Sequence, residues 1–189
     1  MNNHIYLIHG YTANPSANWF PWLKKEVNEK LNQGINLLEM PNSNNPIPEE
    51  WDAVCDEKIA HKDGIVIIGH SLGCIEALRF VSQHNVHNVN LILVSGFDET
   101  TYTLPQLAPF TCNPIDYTKV LPKVKDAVVI SAIDDDIIPY TYSETLARHL
   151  HCKFIVMPTG KHFIDRDNIY TLPVVYNEIC SMLKPQIGM

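Results

Sequence analysis

Within Gly64–Phe80, GIVIIGHSLGCIEALRF, a pentapeptide Gly-x-Ser-x-Gly centred on Ser71 joins an apolar run to a helix-like pattern. A strand that turns sharply into a helix holds its joining residue exposed at the sheet edge, and it crowds the two elements so closely that the flanking positions must be small. Gly69 and Gly73 meet that demand. The chemistry open to such a serine is nucleophilic attack on a carbonyl carbon. A hydroxyl attacks only when a base takes its proton, and the base needs a third group to fix its tautomer and stabilise its cation. The competing reading is a Gly-Ser turn that only interrupts the strand, which the strand-turn-helix context disfavours.

Base and acid are sought downstream, in the order serine, acid, histidine. Among nine histidines, His162 in VMPTGKHFI follows the last apolar run through a short glycine-containing loop, at the same sheet edge as Ser71. His70 adjoins the serine and is expected to point elsewhere. His149 and His151 flank a helix end and suit dipole or packing roles, while His4, His61, His84 and His87 read as ordinary surface positions. The acid lies in VVISAIDDDIIP, where spacing does not choose among Asp134, Asp135 and Asp136. Asp98, just past the preceding apolar run, is a rival. A metal centre made from the three aspartates and a histidine has no ligand spacing to support it.

Attack on a carbonyl creates an oxyanion that needs donors aimed at it. The backbone amide of Leu72, next after the serine, supplies one. The loop in YLIHGYTAN supplies the second, with Gly10 permitting close approach of the backbone and Tyr11 or Thr12 offering the amide.

The elements that must position these residues are legible as a rhythm. HIYLIHG, INLLEMP, GIVIIG, VNLILVSG, DAVVISAI and CKFIVMP are short, mostly branched or aliphatic runs of the kind a sheet covered on both faces requires. Between them lie helical spacings: Leu23, Val27 and Leu31; Ile75, Leu78 and Val81; Leu172, Val175, Ile179 and Leu183. PNSNNPIPEEW reads as a loop entering a helix at Pro48. The predicted fold is a three-layer α/β/α sandwich around a doubly wound, mostly parallel sheet of about six strands, with residues 1–189 as one domain. From Phe97 to Pro122 the rhythm breaks, since four prolines interrupt any long helix there.

Composition narrows the partners. The formal charge of -7 is dispersed, and basic residues occur only in short groups, so no stripe for a phosphate backbone exists and nucleic acid is not expected. Five cysteines without a C-x-x-C pair argue against a disulfide framework or zinc ribbon and for a reducing compartment. The first residues lack a basic stretch followed by a long apolar run, and no run approaches the roughly 20 apolar residues of a membrane span. The expectation is a cytoplasmic chain with no membrane contact, and nothing in the sequence supports a protein partner.

With those residues in hand the chain resembles the compact serine hydrolases of the α/β-hydrolase superfamily nearly end to end. The resemblance rests on HGYTANPSANWFPWLKKEV, MPNSNNPIPEEW, GHSLG, DDDIIP and GKHF, in order. It implies Ser71 as nucleophile, His162 as base, and an acid four residues before a proline, which selects Asp135 ahead of Pro139, with Asp134 as second choice. Asp136 stands where the family often has proline. With that mechanism the expected oxyanion donors are Leu72 and Tyr11, no metal or organic cofactor is needed, and the expected substrate is a small acyl ester; a chain with no room for a cap domain is expected to have a shallow pocket bordered by Gly10, Trp19, the loop from Pro41 to Pro48 and the segment from Phe97 to Pro122. Core packing is the competing role for Trp19 and Trp22. An acyltransferase or thioesterase would use the same residues, and an interaction protein on a hydrolase scaffold need not keep them.

Overall fold

A computed structural model describes residues 4–184. Strands β1 (Ile5–Ile8), β2 (Ile35–Leu38), β3 (Val66–His70), β4 (Val89–Val94), β5 (Val124–Ala132) and β6 (Lys153–Met157) form a single sheet in the order β2-β1-β3-β4-β5-β6, and every neighbouring pair is parallel. All six apolar runs are strands. Parallel neighbours cannot be joined by hairpins, so the chain returns through helices α1 (Phe20–Leu31), α2 (Pro48–Lys58), α3 (Leu72–Gln83), α4 (Tyr117–Val120), α5 (Tyr140–His149) and α6 (Pro173–Leu183).

The central strands explain their unbroken apolar character. Along β1, Tyr6 and Ile8 point into one core layer while Ile5 and Leu7 point into the other, and all four are buried. One layer is closed by Trp51 and Cys55 of α2, Ile75 and Leu78 of α3 and Leu146 of α5. The other is closed by Phe20, Leu23 and Val27 of α1 and Val175 and Ile179 of α6. Edge strands β2 and β6 are only partly buried. Among the described residues no helix is long and apolar enough to cross a membrane.

The order of strands places the site. From β1 the chain moves outward to β2, whereas from β3 it moves the other way to β4, and α1 and α3 lie on opposite faces. Loops leaving β1 and β3 therefore part and open a crevice at the carboxyl ends of the strands. Ser71 and the Gly10 loop both stand there.

The proline-rich segment is partly structural. It contains a short 3-10 helix, Pro105–Phe110, then α4 and a 3-10 turn over Leu121–Lys123, and it drives Leu107, Phe110 and Val120 into the core. Asp98 anchors it: its Oδ2 accepts from the Tyr117 hydroxyl at 2.5 Å and lies 2.6 Å from His149 Nδ1 at the end of α5.

Helix α3 carries one buried carboxyl. Glu76 of α3 is fully buried beside Cys55, Asp52 and Arg79, whose Nε is 3.6 Å from its carboxylate. Burial, with Asp52 adding to it, pushes the Glu76 carboxyl from its ordinary 4.5 up to about 8. Between those values the folded chain holds a proton that the unfolded chain has released, so stability falls as pH rises through the window. Melting temperatures of wild type and Glu76→Gln from pH 5 to 8.5 should therefore diverge. Wild type should lose roughly 2–4 kcal/mol relative to the variant; parallel curves would contradict this account.

Candidate active site

Ser71 lies between β3 and α3 with φ 54° and ψ −121°, a conformation that L residues rarely adopt. Neighbouring bonds impose it: the Ser71 amide donates to the Val94 carbonyl at 2.8 Å, and the Ser71 carbonyl accepts from the Cys74 amide at 2.9 Å. The flanking glycines are sterically required. A Cβ at Gly69 would meet Cys74 Cα and the Gly73 carbonyl oxygen at 2.7 Å, and one at Gly73 would strike the Ile8 carbonyl and lie 2.8 Å from the His9 carbonyl oxygen. All of these are main-chain atoms, which cannot rotate away. Gly73→Ala should therefore cost about 1–3 kcal/mol or more in urea melts, with Ser71 displaced from the crevice. A variant as stable as wild type would show that the turn has room.

The loop after β5 carries the three aspartates, and the structure separates their roles. His162 Nδ1 lies 2.9 Å from Asp135 Oδ2 and 3.1 Å from Oδ1, and both residues are buried. Asp135 Oδ1 also accepts from the amides of Ile137 at 3.0 Å and Ile138 at 2.9 Å, so the carboxylate is held from its own turn. Asp134 Oδ1 instead accepts from the Lys161 amide at 2.9 Å, tying down the loop one residue before His162. Asp136 is exposed at the cavity, and Asp98 is committed to Tyr117 and His149. With Nδ1–H donated to Asp135, the neutral imidazole of His162 keeps Nε2 as its acceptor.

Two histidines support this arrangement. His70 Nε2 donates to the His162 carbonyl at 2.9 Å, and the two rings are 5.0 Å apart. Burial, followed by His162, depresses His70 to about 3, so it stays a neutral donor. The residue adjacent to Ser71 thus holds the main chain of His162. His9, to which the sequence reading assigns no role, bridges two loops: its Nδ1 donates to the Gly10 carbonyl at 2.9 Å and its Nε2 accepts from the Met40 amide at 3.1 Å. Burial lowers its pKa as well, which favours the neutral ring, and those two bonds set its tautomer. A histidine next to the glycine ending β1 was the only signal available.

Gly10 approaches Ser71 so closely that a Cβ there would lie 2.9 Å from the serine Cβ. Leu72 is the first residue of α3, where amides have no partner within the helix. The Thr12 amide is spent on the Ser43 carbonyl at 2.8 Å, so it is not free for a ligand in the cavity. Ser71, His162, Gly10 and Tyr11 line one open cavity of about 590 Å³, together with Asn18 and Leu104.

Two expected pocket walls lie elsewhere. Trp19 is fully buried in the core layer beneath α1, 4.8 Å from the Phe20 ring and 6.1 Å from the His70 ring, because its neighbours Ala17 and Asn18 take the cavity face. Trp22 packs against the same layer. The loop from Pro41 to Pro48 borders a separate depression at Asn42–Asn45 and Ile47; Trp51 Nε1, donating to the Pro41 carbonyl at 2.8 Å, holds it toward α2. Of the proline-rich segment, Thr103 and Leu104 do reach the cavity.

Known proteins match this chain over most of its length. YdeN of Bacillus subtilis (strain 168) is 34% identical over 186 residues, covering 96% of each chain. Its crystal structure superposes with a TM-score of 0.91 at 32% identity, over 96% of this chain and 98% of that one. Serine hydrolase RBBP9 of Rattus norvegicus is 23% identical, over 89% of this chain and 88% of its own. An esterase domain from a Rhodothermus marinus protein shares the fold, with a TM-score of 0.65 at 11% identity over 96% of this chain and 88% of that one. The family model described as serine hydrolase matches residues 5–179. On that match, and on the likeness to YdeN, the chain belongs to the serine hydrolase family and has the α/β-hydrolase fold.

Proposed function

We propose that the chain hydrolyses small acyl esters through Ser71, His162 and Asp135. The observation that carries this reading is the bond from His162 Nδ1 to the buried Asp135 carboxylate, at the same cavity as the strained Ser71. As the Ser71 Oγ forms a bond to the ester carbonyl carbon, its proton passes to His162 Nε2, and Asp135 stabilises the imidazolium. The amides of Leu72 and Tyr11 hold the oxyanion. Collapse breaks the bond to the alkoxy oxygen, which leaves with the proton from His162. Water then gives a proton to His162 and attacks the acyl-enzyme, and the carboxylic acid departs as Ser71 recovers its proton.

A small substrate suits the cavity, whose 590 Å³ falls in the size range of small-molecule sites. Ala13, Ala17, Leu104, Ile137 and Ile164 supply apolar wall for an acyl chain, and Asn14 and Asn18 supply polar groups for the carbonyl end. A fluorophosphonate probe, which phosphonylates activated serines, should label wild type and leave Ser71→Ala unlabelled. Labelling of both would place the reactive group elsewhere. A series of p-nitrophenyl esters of graded length then reads the acyl preference, with turnover expected for chains of a few carbons.

A further inference from the structure

The chain has a second cluster of chemistry-bearing side chains, at the opposite edge of the sheet. Asp56 lies in the last turn of α2, His61 in the connection to β3, and His84 directly after α3. The ends of α2 and α3 both precede strands, so they stand at the amino edge of the sheet, while Ser71 stands at the carboxyl end of β3. The length of β3 separates the two by roughly 15 Å.

We infer that Asp56, His61 and His84 form a binding site for a divalent transition-metal ion, zinc in particular, which clips the end of α2 to the end of α3. Asp56 Oδ1 lies 3.3 Å from His61 Nε2 and 3.7 Å from His84 Nδ1, and the three ligand atoms all lie within 4.8 Å of one another. Ligands about 2.0–2.1 Å from a tetrahedral zinc are roughly 3.3–3.4 Å apart, so small side-chain movements bring all three into its coordination sphere. Two imidazoles with one carboxylate suit zinc, nickel or copper and not calcium or magnesium, which take oxygen ligands.

Independent features point the same way. The Asp56 carbonyl accepts from His61 Nε2 at 3.1 Å, because the Ala60 amide, its ordinary helical partner, donates instead to the Tyr6 hydroxyl at 3.0 Å; a metal takes the place of that ring proton, which moves to Nδ1. The carbonyl is thereby turned toward the cluster as a fourth candidate ligand atom. The rings are held in place: His61 is 5.7 Å and His84 4.4 Å from buried Phe80, and the two imidazoles are 4.5 Å apart. The end of α2 carries the negative pole of its dipole, which favours a cation. Lys123 opposes it: its ammonium caps the Val81, Ser82 and His84 carbonyls and is the charge that works against a metal at His84. Asp52, also near His84, is paired with Arg79.

Titration of the intact protein with Co2+ should give one bound ion per chain with a visible d–d spectrum, and Zn2+ should displace it. Zn2+ at a hundredfold excess over its Kd should raise Tm by roughly 5–10 °C. Each of His61→Gln, His84→Gln and Asp56→Asn should weaken binding by at least about 10–100-fold, the cost of losing even an outer-shell partner, while ester turnover and the metal-free Tm stay near wild type. His151→Gln, at the end of α5, should bind as wild type does. Asp56 and His61 are exposed and His84 is only partly buried, so these variants will fold. No binding by wild type at 100-fold the protein concentration, or equal binding by the three variants, overturns the site. Retained turnover with or without metal keeps this outcome separate from the fate of the esterase reading.

Discussion

Ser71→Ala and His162→Ala should each lower kcat on p-nitrophenyl acetate by on the order of 10^4 to 10^6, the cost of removing nucleophile or base from a unit of this kind. Because the two act together, the double variant should be scarcely slower than either single one. Both side chains are almost fully buried and line the same cavity. Each variant keeps the Leu72 and Tyr11 amides, and the residual rate over water measures what those donors and binding contribute. KM should change little. Undiminished turnover in either variant would end the proposed mechanism, and additive losses would show that the residues do not act as one unit.

Asp135→Asn should cost on the order of 10^4 in kcat, and its neighbour should behave differently for a reason visible in the hydrogen bonds. The amides of Ile137 and Ile138 both donate to Asp135 Oδ1, so the oxygen of an asparagine must occupy that position. Its amino group then faces His162 Nδ1, where Oδ2 now stands at 2.9 Å. Two donors cannot share that contact, and the ring relieves it by moving its proton to Nε2, the tautomer that cannot accept from serine. Asp134→Asn keeps an oxygen for the Lys161 amide, and its kcat should fall no more than a few-fold. Steady-state kinetics over pH 6–9 distinguish the two, since the Asp135 variant should recover part of its rate at high pH, where hydroxide assists. Equal activities would reassign the acid.

The fold was legible because its strands lie in a sheet covered on both faces. Runs such as Ile5–Ile8 and Val89–Val94 must be apolar on both sides, and nothing else in a chain of this composition reads that way. Gly69 and Gly73 were legible for a steric reason that the main-chain contacts now make explicit. Sequence offered less on the side chains that set orientation. Whether Trp19 faces cavity or core depends on a turn of the chain at Asn18, whose φ is 55°, and an aromatic residue suits either side. His9 and His70 work through single bonds to carbonyls distant in sequence, and such pairings leave no spacing to find. His61 and His84 looked like separate surface residues because 22 positions of helix α3 and its approach lie between them, yet parallel topology returns both helices to one edge. The choice of Asp135 over Asp134 rested on likeness to a family pattern, while the hydrogen bonds that distinguish the two, to His162 and to Lys161, each reach across 27 positions of sequence.

Around the cavity mouth, the Asp165 amide donates to Asn18 Oδ1 at 3.0 Å and the Asn18 amide lies 3.5 Å from Asp165 Oδ2. These two loops, one entering α1 and the other leaving His162, are thus latched to each other across 147 positions of sequence. An aperture framed in this way has its width set before any ligand arrives. Discrimination among acyl groups then becomes a matter of rigid clearance, and altering Asn18 and Asp165 together offers a direct route to widening what enters.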